Sequence, residues 1–395
     1  MAKMAHALQS LPPTTHERDF RLDFCRGLAL IIIFIDHVPD NPLSNWTLRN
    51  FAFCDAAEIF VLISGMASYL AYGARLEREG FAACTKAIGK RWLNVYAAHL
   101  MLFFLVASLM LTASHHLHAV DYINWLNLNW LIEDPRRAIE SALILSYLPR
   151  LVDILPLYVI LLGLAPALLY LVKCDYRLSL LLSAMVYAVT WAWGLNLRAG
   201  RERQWYLDPF AWQFLYTLGM VICHLSRTAP GKLQLGRFWL AAAIGFSVFA
   251  CLVAAPLNGI HASASASFYL GLTDKTFLAP LRVVNLLALV YVFGYFVSPQ
   301  APWLKTRLAQ LFLACGRHSL PVYILGVVLS CAGYVVMAES SSRTLANWTV
   351  NLVGMATLFL LGLMLDSRSR RIRATTAHVL SSHDKFLTHL EKRRI

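Results

Sequence analysis

Charge is scarce in this sequence. Asp, Glu, Lys and Arg make up 14% of its 395 residues, where soluble domains carry about a quarter. Together with 58% hydrophobic residues and a mean hydropathy of +0.56, that shortage excludes an ordinary soluble domain and predicts a polytopic membrane protein. Paired cysteine is also absent. The eight cysteines are scattered, with no CxxC, and most lie in or beside apolar segments, where cysteine acts as a small hydrophobe. No disulfide framework is expected. No signal peptide is visible: residues 1–20 are polar, with Glu17-Arg18-Asp19 just before the first apolar segment. That segment is expected to stay as a signal anchor. No Walker motif, GxGxxG or GxSxG is evident, so nucleotide-loop and serine-hydrolase chemistry have no signature here. No repeat relates the two halves, which counts against a transporter built from inverted repeats.

What the sequence does have is a series of apolar stretches long enough to span a bilayer. They read at about 24–39, 56–73, 92–112, 154–172, 178–196, 209–225, 238–257, 278–297, 318–337 and 344–365. The expected fold is all-α, a polytopic integral membrane protein of about ten transmembrane helices. Segment 139–149 is short and amphipathic and is expected to lie at the interface or to re-enter. The net charge of +13 reads as cytoplasmic loop charge rather than affinity for nucleic acid. Of the 35 Lys and Arg, 23 fall in segments on one side, nine on the other, and three (Arg26, Arg282, Arg317) within spans. That bias predicts both termini in the cytoplasm. Three parts follow: a cytoplasmic N-terminal segment 1–23, a membrane domain 24–365 and a basic cytoplasmic tail 366–395.

Costly charges inside the membrane point to a site. Arg26 and His37 lie on the first span, eleven residues apart, which returns to nearly the same helix face with a rise of roughly 16 Å. A histidine titrates near neutral pH and can take a proton from a hydroxyl, while the arginine can hold an anionic group. Asp36 adjoins the histidine. Asp55-Ala-Ala-Glu58 opens the second span with two carboxylates on one face. Negative charge there suits the helix dipole, and Glu58, one turn deeper, is placed to orient a histidine. Lys86, Lys90 and Arg91 precede the third span in an inside loop, suited to clamp donor phosphates; without the two constellations above, positive-inside charge would be the preferred account of them. Arg317-His318-Ser319 opens the ninth span with a cation, a histidine and a hydroxyl, and Arg282 is a lone intramembrane arginine.

Other patterns are weaker. The segments 113–153 and 198–208 mix aromatics with charges on the outside, which suits either sugar binding or an interfacial aromatic belt. His115, His116 and His118 read as solvent-facing, and no metal site is expected. The Asn-Trp-Thr sequons at Asn45 and Asn347 matter only in a secretory eukaryote. The Ala-Ser run at 262–267 reads as a flexible loop.

The segments Arg18-Asp-Phe-Arg21-Leu-Asp23-Phe-Cys-Arg26-Gly-Leu-Ala and Phe34-Ile-Asp36-His37-Val-Pro-Asp40-Asn41 resemble the OpgC family. So do Thr47-Leu-Arg49-Asn50-Phe, Asp55-Ala-Ala-Glu58-Ile-Phe-Val-Leu-Ile-Ser64-Gly65 and Ser319-Leu-Pro321-Val-Tyr323. That family sits within the type-3 transmembrane acyltransferase group. The resemblance implies a ten-helix acyltransferase of the bacterial inner membrane. It would take the acyl group of cytoplasmic acyl-CoA, succinyl-CoA in the OpgC case, to a periplasmic osmoregulated glucan. The co-substrate is acyl-CoA, with no permanently bound cofactor, and the partners are glucan and membrane lipids, with no nucleic acid.

The group's arginine, ten intervening residues and histidine match Arg26 and His37. Its Arg-x-x-Arg pattern reads here as Arg91-Trp-Leu-Asn94. The expected catalytic residues are His37, Glu58, Asp55 and Asp36. The expected substrate-binding residues are Arg26, Lys90, Arg91, Arg282, Arg317, His318 and Ser319. No Ser or Cys is visibly paired with a base, which favours direct transfer; an acyl-histidine remains the other route. The competing readings are a proton-coupled transporter of an anion or sugar and a non-catalytic membrane scaffold.

Overall fold

The structure is a computed structural model that describes residues 19–117, 120–201, 203–254 and 271–392. Expectations that rest on Lys3, Arg18, His118, Glu202, the 262–267 run, Arg393 and Arg394 lie outside the described residues, as do those on the side chains of Arg373, Lys385 and Lys392. Among the described residues the fold is 82% helix with no strand, and the only β pairing is an isolated bridge between Arg198 and Gln204. The helices are α1 (Phe20–His37), α2 (Ala56–His116), α3 (Tyr122–Leu126), α4 (Asn129–Glu133), α5 (Pro135–Leu143), α6 (Ile154–Cys174) and α7 (Tyr176–Trp193). They continue with α8 (Pro209–Thr228), α9 (Gly236–Ala254), α10 (Pro280–Phe296), α11 (Arg307–Arg317), α12 (Ser319–Glu339) and α13 (Arg343–Lys392).

Local chemistry sets their starts. Asp19 accepts from the Arg21 backbone N–H at 3.0 Å and caps α1. Asp55 and Glu58 form a full capping box on α2: Asp55 accepts from Ala57 N at 2.8 Å and Glu58 accepts from Asp55 N at 2.9 Å, satisfying two otherwise unpaired donors. Asp208 caps α8 ahead of Pro209, whose fixed φ suits the first helical position.

Among the described residues, five helices are long and apolar enough to cross a membrane: α2, α6, α9, α12 and the Arg343–Ile372 part of α13. The structure thus bears out a helical membrane protein. α1, α7, α8 and the shorter apolar α10 coincide with expected stretches but fall outside this set; α1 carries four charges, Arg21, Asp23, Arg26 and Asp36.

Four local expectations change. The loop expected between 73 and 92 is helical, so α2 runs for 61 residues and turns at Gly80, where φ is 82° and ψ is 176°. Arg75 and Glu79 pair at 3.0 Å across one helical turn there, so the polar run is the solvated face of a helix. The stretch after 113 is divided among the end of α2 and the short helices α3, α4 and α5, with His115 and His116 inside the last turn of α2. An eleven-residue helix, α11, precedes the ninth stretch. Finally, α13 runs without a break through residue 366, where the tail was expected to begin.

Packing brings backbones into direct contact at two crossings. A Cβ on Gly27 would strike the Phe312 carbonyl, and one on Gly316 would strike that of Asp23, so α1 and α11 cross through paired glycines. Gly65 and Gly219 do the same for α2 and α8, against the carbonyls of Tyr216 and Leu62. Lipid offers no hydrophobic drive for helix association, so close backbone approach at small residues provides it.

Candidate active site

A cavity of about 170 Å³ lies between α1, α2, α6 and α12. Arg26 lines it from α1 and Arg91 from the second half of α2, with hydroxyls from Ser64, Ser68, Tyr72, Tyr158 and Ser319. The Arg26 guanidinium also donates to the Ile63 carbonyl at 3.3 Å, which fixes its direction. Arg91 sits eleven residues beyond the turn at Gly80, roughly 16 Å along the helix, so it reaches this cavity from within a helix rather than from a loop. Lys90 and Asn94 point elsewhere and are exposed. Two cations with five hydroxyls form a place for an anionic group.

His37 is the last residue of α1. Its Nδ1 is buried and has no hydrogen-bond partner. The charges that act on it belong to Lys275, Asp55 and Arg49. Asp36 accepts from Thr47 Oγ1 at 2.7 Å and faces Arg49 Nε at 3.6 Å. Asp55 is held by Lys275 Nζ at 2.5 Å and Arg282 Nη2 at 3.2 Å. Glu58, fully buried, takes the Arg282 guanidinium at 2.5 Å on one oxygen and the Asp55 backbone N–H on the other. Both Glu58 oxygens are therefore occupied, and neither carboxylate bonds to His37 in this arrangement. Pairing is what makes such buried charge tolerable. Burial works against the Lys275 ammonium, but the Asp55 carboxylate beside it more than offsets this, so the lysine pKa is raised and it stays charged.

Arg317 and His318 serve a third cluster. Arg317 meets Asp366 at 3.1 Å and Asp23 at 3.8 Å, His318 lies 3.9 Å from Asp366, and Arg370 meets Asp366 at 2.6 Å. Among the expected residues the fold thus gathers Arg26, Arg91 and Ser319 at one cavity. It draws Asp55, Glu58 and Arg282 into one ion network near His37, sends Arg317 and His318 to Asp366, and leaves Lys90 outside. Sequence reasoning missed Lys275, because a loop lysine carries no pattern of its own. It also missed Ser68, Tyr72 and Tyr158, which look like ordinary core residues until the cavity joins them.

An all-helical fold with long apolar helices and buried charge networks defines a helical membrane protein. The family model described as OpgC protein matches residues 18–370, and the chain belongs to that family. Membership points to an acyltransferase-like role in glucan modification. No curated protein and no solved structure matches the chain.

Proposed function

We propose that the protein is an O-acyltransferase of the bacterial inner membrane. It takes an acyl group, succinyl by family resemblance, from cytoplasmic acyl-CoA to a hydroxyl of a periplasmic glucan. The observation that carries this reading is the meeting of Arg26 and Arg91 at one cavity, with Arg26 on the helix whose other end bears His37. About ten spans with both termini in the cytoplasm would put the arginines toward the donor and the histidine toward the acceptor.

In the proposed reaction, Arg26 and Arg91 hold anionic parts of the donor, with Ser319 and the cavity hydroxyls as further donors. His37 accepts the proton of the glucan hydroxyl as the oxygen attacks the thioester carbonyl. The C–O bond forms, the C–S bond breaks, and the imidazolium returns its proton to the departing CoA thiolate. The Asp36, Asp55, Glu58, Arg282 and Lys275 charges fix the field around the base rather than touch the reacting atoms.

The test is His37→Ala in purified protein given acyl-CoA and glucan. Loss of general-base catalysis predicts a fall in ester formation of about 10²–10⁴-fold. Undiminished transfer would sink the assignment. Movement of sugar or anion across a vesicle without any ester would favour the transporter instead.

A further inference from the structure

A second cavity, about 260 Å³, opens beside the segment that leaves α1. Its walls include Asp40, Tyr334, Met337, Arg343, Thr344 and Asn347. Three observations mark it as a built site. First, its wall is held in a demanding conformation. Asp40 adopts φ of 47°, a left-handed region that residues other than glycine enter sparingly. Its carbonyl accepts from Asn347 Nδ2 at 3.1 Å. Behind it, Asn41 and Asn351 exchange amide hydrogen bonds at 2.9 Å, and Asn351 also donates to Asn347 Oδ1 at 2.8 Å. All three asparagines are buried, so a closed amide network fixes the wall.

Second, the Tyr334 ring is stacked on Trp125, with centroids 3.9 Å apart and planes 14° apart. That backing gives the cavity a flat aromatic wall with little rotational freedom. Third, the rim carries one carboxylate, Asp40, and one guanidinium, Arg343, both exposed. The two charges balance, which suits a neutral ligand rich in hydroxyls and disfavours a phosphate headgroup. The volume falls just below the roughly 300–1,000 Å³ typical of sites for drug-sized ligands, so it fits one ring and not a chain.

We propose that this cavity binds a single neutral sugar ring of the acceptor glycan. The C–H face of the ring lies against Tyr334, and its hydroxyls bond to Asp40, Arg343 and Thr344. The proposal rests on the acyl-transfer reading for its role: Asp40 follows His37 by three residues, so the ring is held at the end of α1 that carries the proposed base.

The experiment uses the full-length protein in detergent, titrated with a linear glucose tetrasaccharide by calorimetry, alongside acyl transfer to the same sugar. The variants are Arg343→Ala and Asp40→Asn, both at exposed side chains, the second keeping a residue that tolerates the left-handed region. Each is expected to raise the sugar Kd about tenfold, the loss of roughly 1.4 kcal/mol. The acceptor KM should rise by a similar factor while the KM for acyl-CoA stays put. Sugar affinity and acceptor KM unchanged in both variants would overturn the cavity while leaving acyl transfer standing. Variant-sensitive sugar binding with no ester product would keep the cavity and remove the acyl-transfer reading. Absence of sugar binding by the unaltered protein would overturn the cavity outright.

Discussion

Arg282 is gripped by two carboxylates, and the grip runs both ways. Arg282→Met would leave Glu58 charged, fully buried and without its cation, at a cost of about 3–5 kcal/mol. Adding Glu58→Gln should recover much of that loss, because glutamine preserves the capping box without the charge. Thermal unfolding in detergent, followed by circular dichroism, measures both steps; an Arg282→Met protein as stable as the parent would contradict the argument. Arg26→Ala and Arg91→Ala belong to a different class. Each removes one charged hydrogen-bond donor from the proposed donor cavity, worth about 1.5–3 kcal/mol or roughly ten- to a hundredfold in the KM for acyl-CoA. At this scale the sequence was informative where a residue broke a local rule. Arg26 and His37 stood out because ionisable groups in an apolar stretch are costly. Lys275 broke no rule, and its partner Asp55 lies 220 positions away, a pairing that only the fold supplies. Glu58 was legible as a helix-starting carboxylate, but the arginine that occupies it was not.

Helices cross here through glycine. Gly27→Ala or Gly316→Ala drives a methyl into a backbone carbonyl of the facing helix, and backbone yields less readily than a side chain. Either change is expected to cost at least the 1–3 kcal/mol typical of overpacking, read as a lowered unfolding temperature in detergent. Gly245→Ala, with open space around it, is the matched control and should have little effect. Gly80 is a third kind of glycine: nothing crowds it, but its backbone conformation is nearly exclusive to glycine. The α1–α11 crossing was not visible in advance. α11 has eleven residues and alternates its apolar face with Arg and Gln, so it lacks the length of a spanning stretch. The turn within α2 was hidden for the opposite reason: its polar residues read as a loop, yet they are one face of a continuous helix.

For the whole molecule, orientation in the membrane is a property that labelling reads directly. Cys174, at the junction of α6 and α7, is the exposed member of the eight cysteines. Both termini in the cytoplasm predict that a membrane-impermeant maleimide labels Cys174 in inside-out vesicles and spares it in intact spheroplasts; the reverse pattern would invert the assigned direction. The membrane class and the helical content were plain from composition, since burial in lipid dictates apolar runs. The cavities were not, because each is assembled from helices far apart in the chain. That separation has a consequence for biogenesis. α1 leaves the ribosome long before α11, so Gly27 meets Gly316, and Asp23 meets Arg317, only after roughly 290 further residues. At about 5–20 residues per second, translation needs roughly 15–60 s to deliver them. Throughout that interval the glycine crossing and the Asp23–Arg317 contact cannot form, so the packing of α1 on α11 is a late step of assembly.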